Sequence, residues 1–268
     1  MENYFTRYTD SSAVFPSFPI VQHNCLGIWD VFLSLFHSFT MRPHPPLLVA
    51  IQDLPSRRSV LPPFPGFMSF ALLSPGRPRV AIYVSRTLNP HLSCSTVFHD
   101  SSEMLLVDVF SSEGLFGCSH HSLRVTSVYL FRKNCPPYRS IPPERIFSFL
   151  SNPHLVLGDF NLHHALTEPC RSLSAREFII SSGYFDTAFD VPYHLLNTPK
   201  VYTLFPFDTT SQPSVLDLAF ANTALSSLVS SWDTSLPSTG SDHVPCEITI
   251  NHPGLCYPPL LRTGPSLT

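Results

Sequence analysis

The residues best suited to chemistry fall in one run near the middle of the chain, His154-Leu155-Val156-Leu157-Gly158-Asp159-Phe160-Asn161-Leu162-His163-His164. Apolar residues predict a buried strand that runs into a tight glycine turn and then presents a carboxylate, an amide and imidazoles. Gly158 allows a close backbone approach or a positive φ where the chain turns. Asp159 and Asn161 stand two residues apart, so they share a side for as long as the extended geometry persists. A carboxylate beside an amide at a strand's carboxyl end can hold a phosphate, a divalent metal or an attacking water.

Five further positions place polar groups at the ends of apolar runs. Asn24 follows Ile20-Val21-Gln22-His23, and Asp53 follows Leu48-Val49-Ala50-Ile51-Gln52. Tyr129 ends Val125–Val128. Asp217 lies between Leu216 and Leu218, where a carboxylate is costly unless paired, and its expected partner is His243. Asp242 and His243 follow a Gly-Ser turn and precede Val244–Ile250. Adjacent residues in an extended chain cannot aim at one spot, so a separate carboxylate would orient the imidazole. A histidine held in that way is a general base, or a transition-state donor when protonated.

The elements that must position these groups are short. Strands are predicted at Ile20–Cys25, Leu47–Gln52, Arg79–Ser85, Met104–Phe110, Leu123–Leu130, Leu155–Phe160, Val215–Ala221 and Cys246–Ile250. Helices are predicted at Ile28–Phe39 from its apolar spacing and at Glu144–Leu150 behind Pro142-Pro143. A third, Ala175–Ser182, would be capped by Ser174 and stopped by Gly183. The 28 prolines punctuate these elements and keep helices short. Runs of strands with few helices between them fit an α+β or layered sandwich better than a doubly wound sheet. Residues 1–19 read as a lead-in, 20–251 as a single domain and 252–268 as a tail.

Composition narrows the function classes. Hydrophobic residues make up 43% and charged residues only 13%, which argues against disorder. The net charge of −3, with Lys133 and Lys200 the only lysines, gives no basic stripe. Seven cysteines without a CxxC pair favour reduced thiols over a disulfide framework or a zinc site. The most apolar stretch, Ile28–Met41, is too short and polar to span a bilayer, and the first residues form no signal peptide. The expected location is intracellular, and nuclear for an enzyme acting on chromosomal DNA.

Taken in order, Asn24, Gln52-Asp53, Tyr129, GDFN, DLAF and SDH resemble the endonuclease/exonuclease/phosphatase superfamily. The closer likeness is to the apurinic-endonuclease-like domain of non-LTR (LINE-type) retrotransposons, which are associated with reverse transcriptase. The pieces that carry it are HLVLGDFNLHH, SVLDLAFAN, GSDHVPCEITI, LLVAIQDLP and RVAIYVS, over roughly residues 20–250. The resemblance implies a four-layer α/β sandwich, two packed mixed β-sheets flanked by helices, with the site at one edge. It implies metal-dependent phosphodiester hydrolysis, DNA as the partner, and Mg²⁺ or Mn²⁺ as cofactor. Asn24, Asp53 and Asp242 would serve the metal, with Asp53 as the direct ligand. Tyr129 would contact the scissile phosphate, Asp159 would orient or deprotonate the water, and Asn161 would hold a phosphate oxygen. Asp217 would orient His243, which would stabilise the pentavalent phosphate. The chain departs from the family pattern at Asp53, normally glutamate, at Leu26 and at Leu130-Phe131. Two other readings stand beside this one: a phosphatase-type member acting on lipid or nucleotide phosphate, and a catalytically impaired binding module.

Overall fold

The computed structural model describes residues 17–42, 45–55, 61–71, 78–86, 92–101, 103–111, 122–130, 141–148 and 152–251. Most of the lead-in, the tail, several of the prolines and His44, His91, His120 and His121 lie outside the described residues. Among the described residues, Cys25, Cys170 and Cys246 are free thiols, and no helix is long and apolar enough to cross a membrane.

Among the described residues, twelve strands form two six-stranded sheets. The first contains β1 (Ser17–Asn24), β2 (Leu48–Gln52), β3 (Phe67–Phe70), β4 (Val80–Ser85), β11 (Val229–Asp233) and β12 (Cys246–Asn251), in the order β11-β12-β1-β2-β4-β3. The second contains β5 (Leu92–Ser101), β6 (Met104–Ser111), β7 (Ser122–Tyr129), β8 (His154–Asp159), β9 (Tyr193–Leu195) and β10 (Asp217–Asn222), in the order β5-β6-β7-β8-β10-β9. Each sheet has one parallel pair, β1 with β2 and β7 with β8, and is otherwise antiparallel.

The period-two alternation of the strands builds four layers. Ile20, Leu48, Ala50, Ile82, Val107, Val125, Leu155, Leu157 and Ala219 turn inward and meet between the sheets. Their neighbours Val21, Val49, Ile51, Ala81 and Tyr83 turn outward under helix α1 (Trp29–Thr40), which buries Val31, Phe32, Leu35, Phe36 and Phe39. On the other side Val156, Leu218 and Phe220 pack beneath α2 (Pro143–Ile146) and α3 (Ala175–Asp190). Strands buried on both faces read as continuous apolar runs, which is why these segments are so hydrophobic. The expected α/β sandwich is what the chain adopts.

Two local expectations are corrected. Helix α3 opens on the predicted cap, a reciprocal capping box between Ser174 and Glu177, but it runs through Gly183 to Asp190. A glycine in a helix costs about 1 kcal/mol, whereas burying Tyr184 and Phe185 beyond it contributes about 1.5–3 kcal/mol for each large side chain. The glycine therefore does not stop the helix. Nor does the chain turn at Gly158. Strand β8 continues to Asp159, and the reversal comes at Asn161, at φ 49°.

Gly158 serves a close approach instead. A Cβ there would lie 1.9 Å from the Val128 carbonyl oxygen on β7, at a φ of 154°. The parallel β7–β8 pairing sets Tyr129 opposite Asp159, so the glycine lets two site residues sit side by side. Gly158→Ala is expected to lose roughly 3 kcal/mol or more of stability, because backbone rather than a movable side chain must yield. Urea unfolding monitored by circular dichroism checks this, and an unchanged midpoint would contradict the packing described.

Candidate active site

At one edge of the sandwich the inward row changes from apolar to polar. Along β1 it runs Ile20, Gln22, Asn24; along β2 Leu48, Ala50, Gln52; along β7 Val125, Ser127, Tyr129; along β8 Leu155, Leu157, Asp159. Strands β10 and β12 run antiparallel to β8 and β1, so their first residues reach the same edge. The parallel connections place the carboxyl ends of β1, β2, β7 and β8 there as well. Topology alone thus gathers Asn24, Asp53, Tyr129, Asp159, Asp217 and His243.

Side-chain bonds then tie the sheets together. Gln22 Nε2 donates to Asp217 Oδ1 at 3.0 Å, Asn24 Nδ2 to Asp159 Oδ2 at 2.9 Å and Gln52 Nε2 to Ser127 Oγ at 2.9 Å. His243 Nδ1 lies 2.7 Å from Asp217 Oδ2. Its Nε2 faces Asp159 Oδ2 and Asp242 Oδ1, each at 4.0 Å, and approaches Asn24 Nδ2 at 3.5 Å. Asp159, Asp217 and His243 are 2%, 1% and 3% exposed, so their charges are tolerable only as a mutually paired set.

The burial sets their acidities. Desolvation alone would lower the His243 pKa, but the charge and hydrogen bond of Asp217, with Asp159 and Asp242 nearby, push it up to about 9. Asp159 is pushed up to about 7, first by burial and then by Asp217. The charge of His243 and the hydrogen bonds from Asn161 N–H and Asn24 oppose that rise. Near neutrality the site therefore combines a protonated imidazole with a carboxylate poised to take a proton.

The loop before β12 is held by its own contacts. Ser241 Oγ donates to the Asn24 carbonyl oxygen and accepts from His243 N–H, and His23 Nε2 meets Thr239 Oγ1 at 2.8 Å. Burial, followed by the charge of His243, lowers the His23 pKa to about 3, so His23 is a neutral strut. Thr203 Oγ1 accepts the backbone N–H groups of Leu216 and Asp217, fixing the carboxylate from behind.

Some predicted positions behave differently from their expectation. Asn161 does not share a side with Asp159: its left-handed backbone turns the amide away, and Nδ2 donates to the Leu130 carbonyl at 2.7 Å. Its N–H instead donates to Asp159 Oδ1 at 3.0 Å. Asn161 and Asp242 line a cleft of about 470 Å³ together with His163, Arg171, Leu204 and Ser214. His163 is paired with Glu168 at 2.7 Å, while His164 stacks on Phe185 with ring centroids 3.8 Å apart. The sequence reading missed Gln22, Gln52 and Thr203 as site partners. For the two glutamines a signal existed: each is a polar residue at an inward position of an otherwise buried strand.

The cation side does not fit the divalent ion implied by the resemblance. Asp53 sits at φ 46°, with its Oδ1 3.5 Å from Arg79 Nη2, and the Arg79 guanidinium lies over the Tyr129 ring, 4.7 Å from its centroid. Asn24 turns its amide nitrogen to Asp159, and its carbonyl oxygen accepts from Leu26 N–H at 2.9 Å. Asp242 Oδ1, although buried, has no hydrogen-bond partner. Among the described residues, no cluster of three histidine, cysteine or acidic side chains is arranged to hold a metal.

Comparison with known proteins bears on the fold. The model of a family described as endonuclease-reverse transcriptase matches residues 123–247, the stretch that carries Tyr129, Asp159, Asn161, Asp217, Asp242 and His243. No curated protein sequence matches. Among solved structures, the endonuclease domain of TRAS1, a telomere-specific non-LTR retrotransposon, superposes with a TM-score of 0.66 at 16% identity, covering 87% of this chain and 98% of that one. An AP endonuclease from Leishmania major gives 0.65 at 15% identity, covering 93% and 92%. A 3′ phosphatase from Neisseria, bound to a product DNA hairpin, gives 0.58 at 13% identity, covering 87% and 99%. Over most of its length the chain has the fold of these endonuclease and phosphatase structures, and residues 123–247 match the endonuclease-reverse transcriptase family.

Proposed function

We propose that the protein hydrolyses phosphodiesters in DNA as a nicking endonuclease domain of retrotransposon type. The observation that carries this reading is the buried Asp217–His243 pair aimed beside Asp159. Asp159 takes a proton from the attacking water as its oxygen adds to phosphorus. The protonated His243, held by Asp217, donates a hydrogen bond to a phosphoryl oxygen as negative charge grows there. Tyr129 and Asn161 border the phosphate, and Asp242 flanks the imidazole. The overall change is cleavage of one P–O bond by water, leaving a phosphate monoester and an alcohol. The Mg²⁺ or Mn²⁺ dependence implied by the resemblance enters no step here, because Arg79 already lies against Asp53.

Supercoiled-plasmid nicking, run with Mg²⁺ and again with EDTA, tests the assignment. Asp159→Ala is expected to lower the rate by about 10²–10⁴-fold and His243→Ala by about 10²–10³-fold. Nicking that survives both substitutions would remove the mechanism.

The pH profile gives a second test. The active form needs Asp159 ionised and His243 protonated, so activity should rise through about pH 7 and fall through about pH 9. In Asp217→Asn the anion that raises the imidazole pKa is gone, so the alkaline limb should move to lower pH. An alkaline limb that stays in place would assign it to another group.

A further inference from the structure

Arg79 is a strongly basic group beside Asp53 and Tyr129, and neither the sequence reading nor the resemblance assigns it a role. It stands immediately before β4, and its carbonyl oxygen accepts Asp53 N–H at 2.8 Å, so the backbone fixes the two residues as neighbours. Among the described residues, Asp53, Tyr129 and Glu103 lie near its guanidinium. Asp53 lies 3.5 Å away, Tyr129 presents its ring face at 4.7 Å, and Glu103 is close enough for the arginine charge to oppose the rise that burial causes in its carboxyl pKa. Glu103 and Tyr129 are themselves joined, since the Glu103 carbonyl accepts Tyr129 N–H at 2.8 Å.

A second arginine–aspartate pair in the same protein provides a contrast. Arg124 grips Asp108 with two hydrogen bonds of 2.7 Å, and the pair is 13% and 5% exposed, as expected for a structural clamp. The Arg79 and Asp53 side chains, with Nη2 and Oδ1 3.5 Å apart, are more exposed, at 24% and 18%. The Arg79 guanidinium lies partly exposed against the Tyr129 ring at the edge of the site.

We propose that Arg79 is the resident cation of this site, standing against Asp53 where a divalent ion is expected and giving its positive charge directly to the DNA phosphate beside Tyr129. A guanidinium suits both tasks, being permanently charged and matched in shape to carboxylate and phosphate oxygens. The shorter Asp53 arm is consistent with this, since it need only meet a large planar cation that comes to it. The DNA phosphate rests on the phosphodiesterase reading; the exclusion of a metal ion does not.

The test measures binding without turnover. Mn²⁺ alone is titrated calorimetrically into the wild-type protein, Arg79→Met and Arg79→Lys. Removing the positive charge should tighten Mn²⁺ binding by roughly tenfold or more, whereas the lysine variant should behave as wild type. In EDTA, affinity for a short DNA duplex should fall in Arg79→Met and be kept in Arg79→Lys. Equal Mn²⁺ affinity in all three proteins, no Mn²⁺ binding in any, or undiminished duplex binding by Arg79→Met overturns the proposal. Should the methionine variant fail to fold, the wild type still decides. The Gly27 amide, bonded to the Asp53 carbonyl at 2.6 Å, should stay unbroadened in NMR spectra as Mn²⁺ is added, and selective broadening there rejects the idea. If the wild type binds no duplex at all, the DNA-nicking reading fails, and the Mn²⁺ titration still judges Arg79.

Discussion

The buried carboxylate of Asp217 is the constraint around which this edge of the molecule is organised. An unpaired carboxylate at 1% exposure would cost several kcal/mol, so its surroundings have to answer it completely. The carboxylate itself is answered from two places in the chain, and the backbone that carries it is held from two more. Gln22 reaches across from β1 and His243 from the turn before β12, Thr203 accepts the backbone N–H, and Asn197 Nδ2 donates to the carbonyl oxygen at 2.9 Å. These contacts bind the two sheets at the edge where the apolar filling between them ends. They also make register a matter of survival for the site. A one-residue slip of β1 would turn Gln22 and Asn24 outward under α1 and bring His23 into the space between the sheets.

The same arrangement determines the chemistry. Asp217 cannot serve as the base, because both of its oxygens are committed, one to Gln22 and one to His243. Its effect is exerted through the imidazole, which it keeps charged against the pull of burial. Asp159 has the opposite situation. Burial favours its neutral form, and only the imidazole charge and two hydrogen bonds hold it near the point of ionisation. Two carboxylates of one composition are thereby given different tasks by their surroundings. Asp242, with a buried oxygen lacking a partner, sits beside them on the cleft wall.

How much of this could be read in the sequence follows from burial. The eight strands anticipated are the interior strands of both sheets, most of them apolar runs buried on both faces, while β12 shows an alternating pattern. The four that were missed, β3, β5, β9 and β11, are the edge strands of the two sheets. An edge strand has one ladder and a mixed surface; β11 reads Val-Ser-Ser-Trp-Asp, and β9 is only three residues long. Such segments become strands because a neighbour pairs with them, and that information is not local. The pairing of Asp217 with His243 was legible because a carboxylate in so apolar a run requires a partner. The turning away of Asn161 was not, since it depends on a left-handed φ and on a carbonyl 31 residues distant.

The cation side shows where motif reasoning and physical reasoning diverge. A motif compares Asp53 with a glutamate and finds a deficit of one methylene. Geometry asks which charge faces the carboxylate, and the residue that answers, Arg79, opens the RVAIYVS piece without being given a role by it. It became visible only when β2 and β4 were paired, because 26 positions separate the two residues in the chain and a single backbone hydrogen bond joins them in space. An aspartate at a left-handed turn here faces a partly exposed guanidinium. A shorter side chain there need not mark decay, since a short arm and a long planar cation span the same gap as a long arm and a compact ion. The substitution at position 53 is therefore to be weighed together with the residue at position 79.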